Sequence, residues 1–520
     1  MSALLFAGAD WSFETIQRIH DRVEEIALGE LKLDVYPNQI EVITSEQMLD
    51  AYAGSGMPIS YGHWSFGKRY VQHEGLYRKG YTDLAYELVI NSSPCISYVM
   101  EGNSAVMQTL VIAHAAFGHN HFFKTNQLFR DWTDATGILD YLRFARAYIA
   151  QCEEIYGERH VERLLDAAHA LMSHGVHRSL RRRKMDFKTE QARAKERREH
   201  DETMYNELWE TLPGGAPKTP GASPQEHLAN LLELPQENLL YFLEKTAPRL
   251  ASWQRELLRI VRLLAQYFYP QRQTKVMNEG VATYVHYKIM NRLHESGNIT
   301  DGAFLEFLTS HTNVVFQPQF DDRRFGAINP YALGFAMMTD LERICVKPTD
   351  EDRAWFPQLA GCNDPVHALK DIWAHYRDES FISQYLSPKV MRDWRMFHLV
   401  DDPSEPTLRV EAIHDERGYR RIRRALAREY DVGHVDPQLE VVAVDLEGDR
   451  RLILQHSVRE GRLLASRDAS EVLGYLADLW SYPVLLREVD EHGNGLREHL
   501  AEPHGRAASQ RGKSFQNGNP

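Results

Sequence analysis

Two segments far apart in the chain limit what it can fold into. One is His114-Ala-Ala-Phe-Gly-His119-Asn-His121-Phe-Phe-Lys124-Thr-Asn126, and the other is Asn278-Glu279-Gly-Val-Ala-Thr-Tyr-Val-His286. Each sets imidazoles or a carboxylate inside an otherwise apolar helical pattern. Burying a neutral polar group without a partner costs on the order of 2–7 kcal/mol, and a charge costs more. A hydrogen-bond network or a metal ion must therefore compensate these side chains, and the spacing alone leaves both open. On an ideal helix His114 and His121 share a stripe, as do Glu279 and His286. His114 and His119 are five residues apart, so pairing them needs a wider turn, which we place at Gly118. Two helices offering inward His and carboxylate side chains match a metal site in a helical bundle. His114, His119 and Glu279 are the candidate ligands. His121, His286 and the upstream Glu101 are candidates for moving protons. Zinc, iron and manganese all suit such donors.

The rest of the composition narrows the class. The chain has 520 residues, enough for several domains, and its 43% hydrophobic content supports a substantial core. Its 60 basic and 73 acidic residues give a net charge of −13, which argues against a nucleic-acid coat. Four scattered cysteines exclude a zinc ribbon and speak against a disulfide scaffold. The N-terminus lacks the pattern of a signal peptide, and no window is apolar enough to span a membrane, so a cytoplasmic location is expected. There is no P-loop, dinucleotide fingerprint or serine-hydrolase elbow, and hence no motif for a nucleotide cofactor.

Periodicity predicts an α+β protein. Helices are expected over 12–28, 104–121, 138–156, 161–174, 250–269, 278–294, 301–308, 330–345 and 365–377, with Asn329-Pro330 as cap and first residue. Strand-like stretches at 33–44 and 87–101 predict a short sheet beside the His114 helix. A mainly helical domain is thus expected over 1–400, with a charged, Pro/Gly-broken surface insertion at 178–225. Its Arg178–Arg198 run reads as a solvated helix or, less simply, an anion-binding patch. From about 401 to 492 strands and helices alternate as a small α+β domain, with a hairpin turn at Leu446–Arg450. Residues 493–520 read as a disordered tail. No internal repeat is found. Elsewhere, His63, Trp64 and Lys68 offer an imidazole, an aromatic face and a cation for an anionic or sugar ligand. Lys124 and Asn126 lie where they would anchor a substrate or cap the histidine helix.

Asn278-Glu279-Gly-Val-Ala-Thr-Tyr resembles the Asn-Glu-Gly-Phe-Ala-x-Tyr stretch of gluzincin metallopeptidases, whose Glu is the third zinc ligand. That resemblance implies a zincin-like fold around the site. The first helix departs from their His-Glu-x-x-His pattern by one extra residue, with Ala115 where the general-base Glu belongs. Over residues 10–490 the chain resembles the SpoVR family, stage V sporulation protein R and its relatives. The match is carried by Tyr61-Gly-His63-Trp-Ser-Phe-Gly-Lys68, Leu88-Val-Ile-Asn-Ser-Ser-Pro-Cys95, both histidine-bearing segments and Asn329-Pro330-Tyr331-Ala-Leu-Gly334. The resemblance implies a bacterial cytoplasmic protein of spore-cortex, cell-envelope or stress physiology. It also implies a PrkA-type serine kinase and a von Willebrand A-like protein as partners. Two functions follow as expectations: a metal-dependent hydrolase-like enzyme, or a non-enzymatic regulator or scaffold of that kinase-linked pathway.

Overall fold

The computed structural model describes residues 3–53, 61–65, 68, 71–72, 87–178, 232, 234–319, 322–324, 326–407 except 401–403, 409–446 and 448–504. The expected insertion beyond residue 178 lies outside these. Among the described residues the chain is a mixed α+β protein, mainly helical in its N-terminal region, as the periodicity predicts. It forms two compact units. The first comprises Met1–Arg163 with Leu263–Asp436, the second Leu164–Arg262 with Pro437–Pro520.

In the first unit, β1 (Asn38–Ile43) runs parallel to β3 (Cys95–Met100), and β2 (Glu87–Ile90) pairs antiparallel on its other side. Glu87 opens β2 and stands opposite Val99. The chain then enters the histidine helix through Ser104, whose hydroxyl accepts from the Met107 N–H. This helix is composite: α-helical over Ala105–Val111, π-helical over Ile112–His119 and α-helical again over Asn120–Thr125. The widened turn is therefore a full π segment and not a local defect at Gly118.

At the centre lies the helix Lys275–Glu295, apolar on nearly every face and buried accordingly. Its N-terminus is capped from outside. Asp378 Oδ2 and Oδ1 accept from the Val276 and Met277 N–H groups at 2.8 and 2.9 Å. Burial pushes the Asp378 carboxyl up to about 7, against the pull of those N–H donors. Two glycine contacts set how closely this helix meets its neighbours. A Cβ on Gly118 would lie 2.5 Å from the Ala282 Cα, and one on Gly334 would lie 2.3 Å from the Val276 carbonyl oxygen. Gly334 belongs to the helix Pro330–Val346, which starts on Asn329 as its side chain accepts from Tyr331 N–H.

Packing places two segments differently from the sequence reading. The helix Glu416–Tyr430, expected in the C-terminal module, joins the first unit's core through Tyr419, Ile422, Leu426 and Ala427. Its strongly one-sided apolar stripe gave no sign of which domain it covers. Residues 495–501, expected in a disordered tail, form strand β9. The second unit's sheet runs β6 (Leu439–Val444), β7 (Leu452–Ser457), β8 (Val484–Val489), β9 (Gly495–Ala501). β7 and β8 are parallel, and the helix Ser466–Trp480 is the crossover that such pairing requires.

β9 is held by a carboxylate. Glu488, fully buried on β8, accepts from Arg497 Nε at 2.6 Å and from the Leu464 N–H at 2.9 Å. Its oxygens also lie 3.1 Å from His456 Nδ1 and 2.9 Å from His499 Nε2. Arg497 and His499 are polar residues in a Gly- and Arg-containing segment, so the composition read as tail. Their shared partner makes it sheet.

Two outcomes follow for stability. Gly118→Ala and Gly334→Ala force backbone apart, and each should cost about 1–3 kcal/mol in urea unfolding. The Glu488 carboxyl is held down at about 2 in the folded state, its hydrogen-bond donors overcoming the opposing effect of burial. Its contribution is therefore complete above its unfolded value near 4.5 and is lost as pH falls towards about 2. Glu488→Gln should lower stability at pH 7 by about 3 kcal/mol, with the gap to wild type narrowing below pH 4.5 and closing only below about pH 2.

Candidate metal centre

The π segment solves the five-residue spacing. With hydrogen bonds running to the fifth residue, His114 and His119 come to the same side of the helix, their ring centroids 4.7 Å apart and edge-on. Facing them, the central helix presents Asn278, Glu279 and His286. The Gly118–Ala282 approach lets short reaches suffice. His119 Nε2 lies 3.5 Å and His114 Nε2 3.8 Å from Glu279 Oε2. A carboxylate the sequence reading missed completes the group: Glu87 Oε1, from the start of β2, is 3.2 Å from His114 Nε2.

The hydrogen bonds behind the rings fix their orientation. His119 Nδ1 is 2.9 Å from Asn278 Oδ1, which can only accept, so that nitrogen donates and Nε2 presents its lone pair. His114 Nδ1 is 2.9 Å from His286 Nδ1, and His286 Nε2 is 2.9 Å from His311 Nδ1. If His114 offers a lone pair at Nε2, its hydrogen sits on Nδ1. His286 must then donate from Nε2 to His311. One tautomer assignment satisfies the whole chain.

Burial disfavours the charged form of three of these imidazoles. Burial lowers His114 to about 4, against the pull of the nearby Glu279 carboxylate, and lowers His311 to about 4. It pushes His286 well below its ordinary value, helped by the neighbouring His114 and His311. The carboxylates diverge. Burial and then the Glu279 charge raise Glu87 well above the usual carboxylate range. Burial opposes ionisation of Glu279 too, but the nearby His114 and His119 rings and the Tyr331 hydroxyl lower it. Tyr331 also stacks on His114, centroids 6.2 Å apart at 19°.

Two buried atoms in this cluster, His114 Nε2 and Glu279 Oε2, have no hydrogen-bond partner. Each such atom costs several kcal/mol if nothing fills the space between. Glu87, His114 and His119 each offer a ligand atom within 4.8 Å of one another. Ligand atoms about 2.0–2.2 Å from a tetrahedral ion lie roughly 3.3–3.5 Å apart. The separations of 3.2, 3.5 and 3.8 Å straddle that value. Two imidazoles with one or two carboxylates could hold zinc, iron or manganese.

The other candidates lie elsewhere. His121, expected on the His114 stripe, is turned away because the π segment breaks the seven-residue register. Its Nδ1 accepts from Asp34 N–H at 2.9 Å, and its ring meets Trp373 edge-on. Glu101 is exposed in the turn after β3 and takes part in none of the site's contacts described above. Lys124 ties the helix end to Asp34 and the Val35 carbonyl at 2.6 and 2.8 Å. Asn126 caps the next helix through Leu128 N–H and donates to the Trp373 and Tyr376 carbonyls. Its side chain thus caps the helix that follows, Gln127–Trp132, and not the histidine helix. His63 Nδ1 meets Ser65 Oγ at 2.7 Å, Trp64 is half exposed and Lys68 is exposed. Of the residues missed, Asn278 and Tyr331 stand inside quoted motifs. Glu87 and His311 carried no sequence signal, since a strand terminus and a helix read as ending at 308 gave no reason to face inward.

His286 and Asn278 orient the His114 and His119 rings, so if those rings hold an ion its affinity depends on them. His286→Ala should weaken divalent-ion affinity about 10–100-fold by competition with a chromophoric chelator, with unchanged far-UV circular dichroism.

Comparison with known proteins agrees with this layout. Residues 10–435 match the sequence model of a family described as SpoVR like protein, and residues 437–491 that of the SpoVR-like C-terminal domain. The change from one to the other falls where the first compact unit ends, at Asp436. A protein of Escherichia coli (strain K12) carrying the name "Uncharacterized protein YcgB" is 51% identical over 487 residues, 94% of each chain. No solved structure matches the chain. Both halves and nearly the full length being matched, the chain belongs to the SpoVR family.

Proposed function

We propose that this protein is a divalent-metal-dependent enzyme of the hydrolase type, with the ion held by His114, His119 and Glu279. The observation that carries the reading is the pair of partnerless buried atoms, His114 Nε2 and Glu279 Oε2, facing one another while the far nitrogens of both rings are already hydrogen-bonded. An ion at this position would act as a Lewis acid on a substrate or water oxygen.

The chain's own residues divide the remaining work. Glu87 takes the place of the base missing at Ala115: it reaches the same imidazole from the sheet instead of from the helix. Burial and the Glu279 charge favour its protonated form, so it is suited to hold a proton at Oε1 and to exchange it with a reacting group. His286 and His311 fix the His114 tautomer, and Tyr331 orients Glu279. The family's implied place in cortex formation and stress physiology directs the substrate search to envelope components, peptidoglycan fragments first.

The test is elemental analysis after anaerobic, chelator-free purification. About one ion per chain is expected in wild type, and its loss in His119→Ala and Glu279→Ala with the fold retained. Glu87→Gln should keep the ion and reduce turnover of any substrate found by about 10²–10⁴-fold. A metal-free wild type would leave the cluster a structural network and return the regulator or scaffold reading to first place.

A further inference from the structure

The four cysteines are not equivalent. Cys95 is buried and donates to the Ile90 carbonyl at 3.3 Å, and Cys152 is buried on a separate helix. Cys345 and Cys362 meet. Cys345 sits in the last turn of the helix Pro330–Val346, and the following segment folds back on that turn. Gly361 N–H donates to the Ile344 carbonyl and Asn363 N–H to the Cys345 carbonyl, both at 3.0 Å. Cys362 lies between these two bonds. The path from Cα to Cα across the second of them cannot exceed about 8 Å, and disulfides span about 4.4–6.8 Å.

Their exposures differ as an attacking and a resolving thiol would require. Cys345 is buried and Cys362 exposed, on the wall of an open recess of about 590 Å³ shared with Asp364, His367 and Trp355. We propose that Cys345 and Cys362 form a peroxide-oxidisable dithiol that closes to an intramolecular disulfide. Burial, and then the neighbouring Cys362, pushes the Cys345 thiol up to about 12, and the exposed Cys362 is the thiol that peroxide meets first.

The chemistry balances with hydrogen peroxide as oxidant. The Cys362 thiolate attacks one peroxide oxygen, the O–O bond breaks, and hydroxide leaves and is protonated to water. Cys362 is then a sulfenic acid. The Cys345 sulfur attacks the sulfenic sulfur, an S–S bond forms, the S–O bond breaks, and the oxygen leaves as a second water with the thiol proton. Two thiols have lost two electrons, and the peroxide has gained them. The cross-link would fasten the end of the helix whose first turn carries Tyr331 at the metal-centre cluster. This inference stands independently of whether an ion binds there.

The experiment treats the reduced full-length protein with a few equivalents of hydrogen peroxide, alkylates it, and maps peptides without reduction. The expected result is a mass loss of two hydrogens and one linked peptide joining Cys345 to Cys362, reversed by dithiothreitol, with Cys95 and Cys152 alkylated. Cys345→Ser should instead accumulate a dimedone-reactive sulfenic acid at Cys362. Cys362→Ser should leave Cys345 a free thiol. Circular dichroism of both variants checks that they fold. Oxidation of wild-type Cys362 to sulfinic acid without a link, links only between molecules, or no reaction at tenfold excess would each overturn the proposal.

Discussion

The structure depends on how closely the helix Lys275–Glu295 is approached by its two neighbours. At Gly118 the histidine helix comes so near Ala282 that no side chain fits between, and at Gly280 and Gly334 two glycines face each other across the other crossing. Ordinary interaxial distances are 8–10 Å. Here the backbones take the space that side chains normally occupy, and short polar groups reach across. His119 can touch both Asn278 and Glu279 because Gly118, beside it, has no Cβ to hold the helices apart. Packing and site are thus one feature: a change that widens the crossing also separates the imidazoles from their carboxylate.

That arrangement buries polar groups among residues that could have been entirely apolar. The central helix is enclosed, yet carries Asn278, Glu279, Thr283 and His286. Some of this cost is offset locally. His286 is bonded at both nitrogens, Asn278 accepts from His119, and Asp378 caps the helix on which they lie. The contrast with Glu488 in the other unit is instructive. There a buried carboxylate gathers four donors and is fully satisfied, which is how a structural network looks. Glu279 keeps an oxygen unpaired, and His114 a nitrogen.

How much of this could be read beforehand depended on whether a signal was local. The elements were legible: caps such as Ser104 and Asn329-Pro330, the long apolar periodicities, and the strand alternation all act within a few residues. The pairing of His114 with His119 was legible as a demand, since five-residue spacing on a helix needs a wider turn. Its form, a π segment eight residues long, was not, and that same segment moved His121 off the stripe on which α geometry had placed it. Glu87 was illegible for a different reason. A single acidic residue at the edge of a strand is ordinary, and only the antiparallel pairing of β2 with β3 brings it over the histidine helix. Polar segments misled in the opposite direction, because β9 owes its order to one buried carboxylate some ten residues upstream.

The position of Glu87 bears on what the site can be. In a His-Glu-x-x-His helix the base and the ligands belong to one rigid element and keep their geometry whatever else moves. Here the second carboxylate comes from β2 while the imidazoles come from the histidine helix and Glu279 from the central one. The set is complete only when sheet and helices are docked. A displacement of β2 by an ångström or two would remove Glu87 from His114 and leave His119 and Glu279 untouched. The contact of Glu87 with His114 therefore rests on the sheet, and those of His119 with Asn278 and Glu279 rest on the helix crossing. Ala115 stands where the familiar motif has its carboxylate, and here the carboxylate nearest the His114 ring, Glu87, comes from a different element.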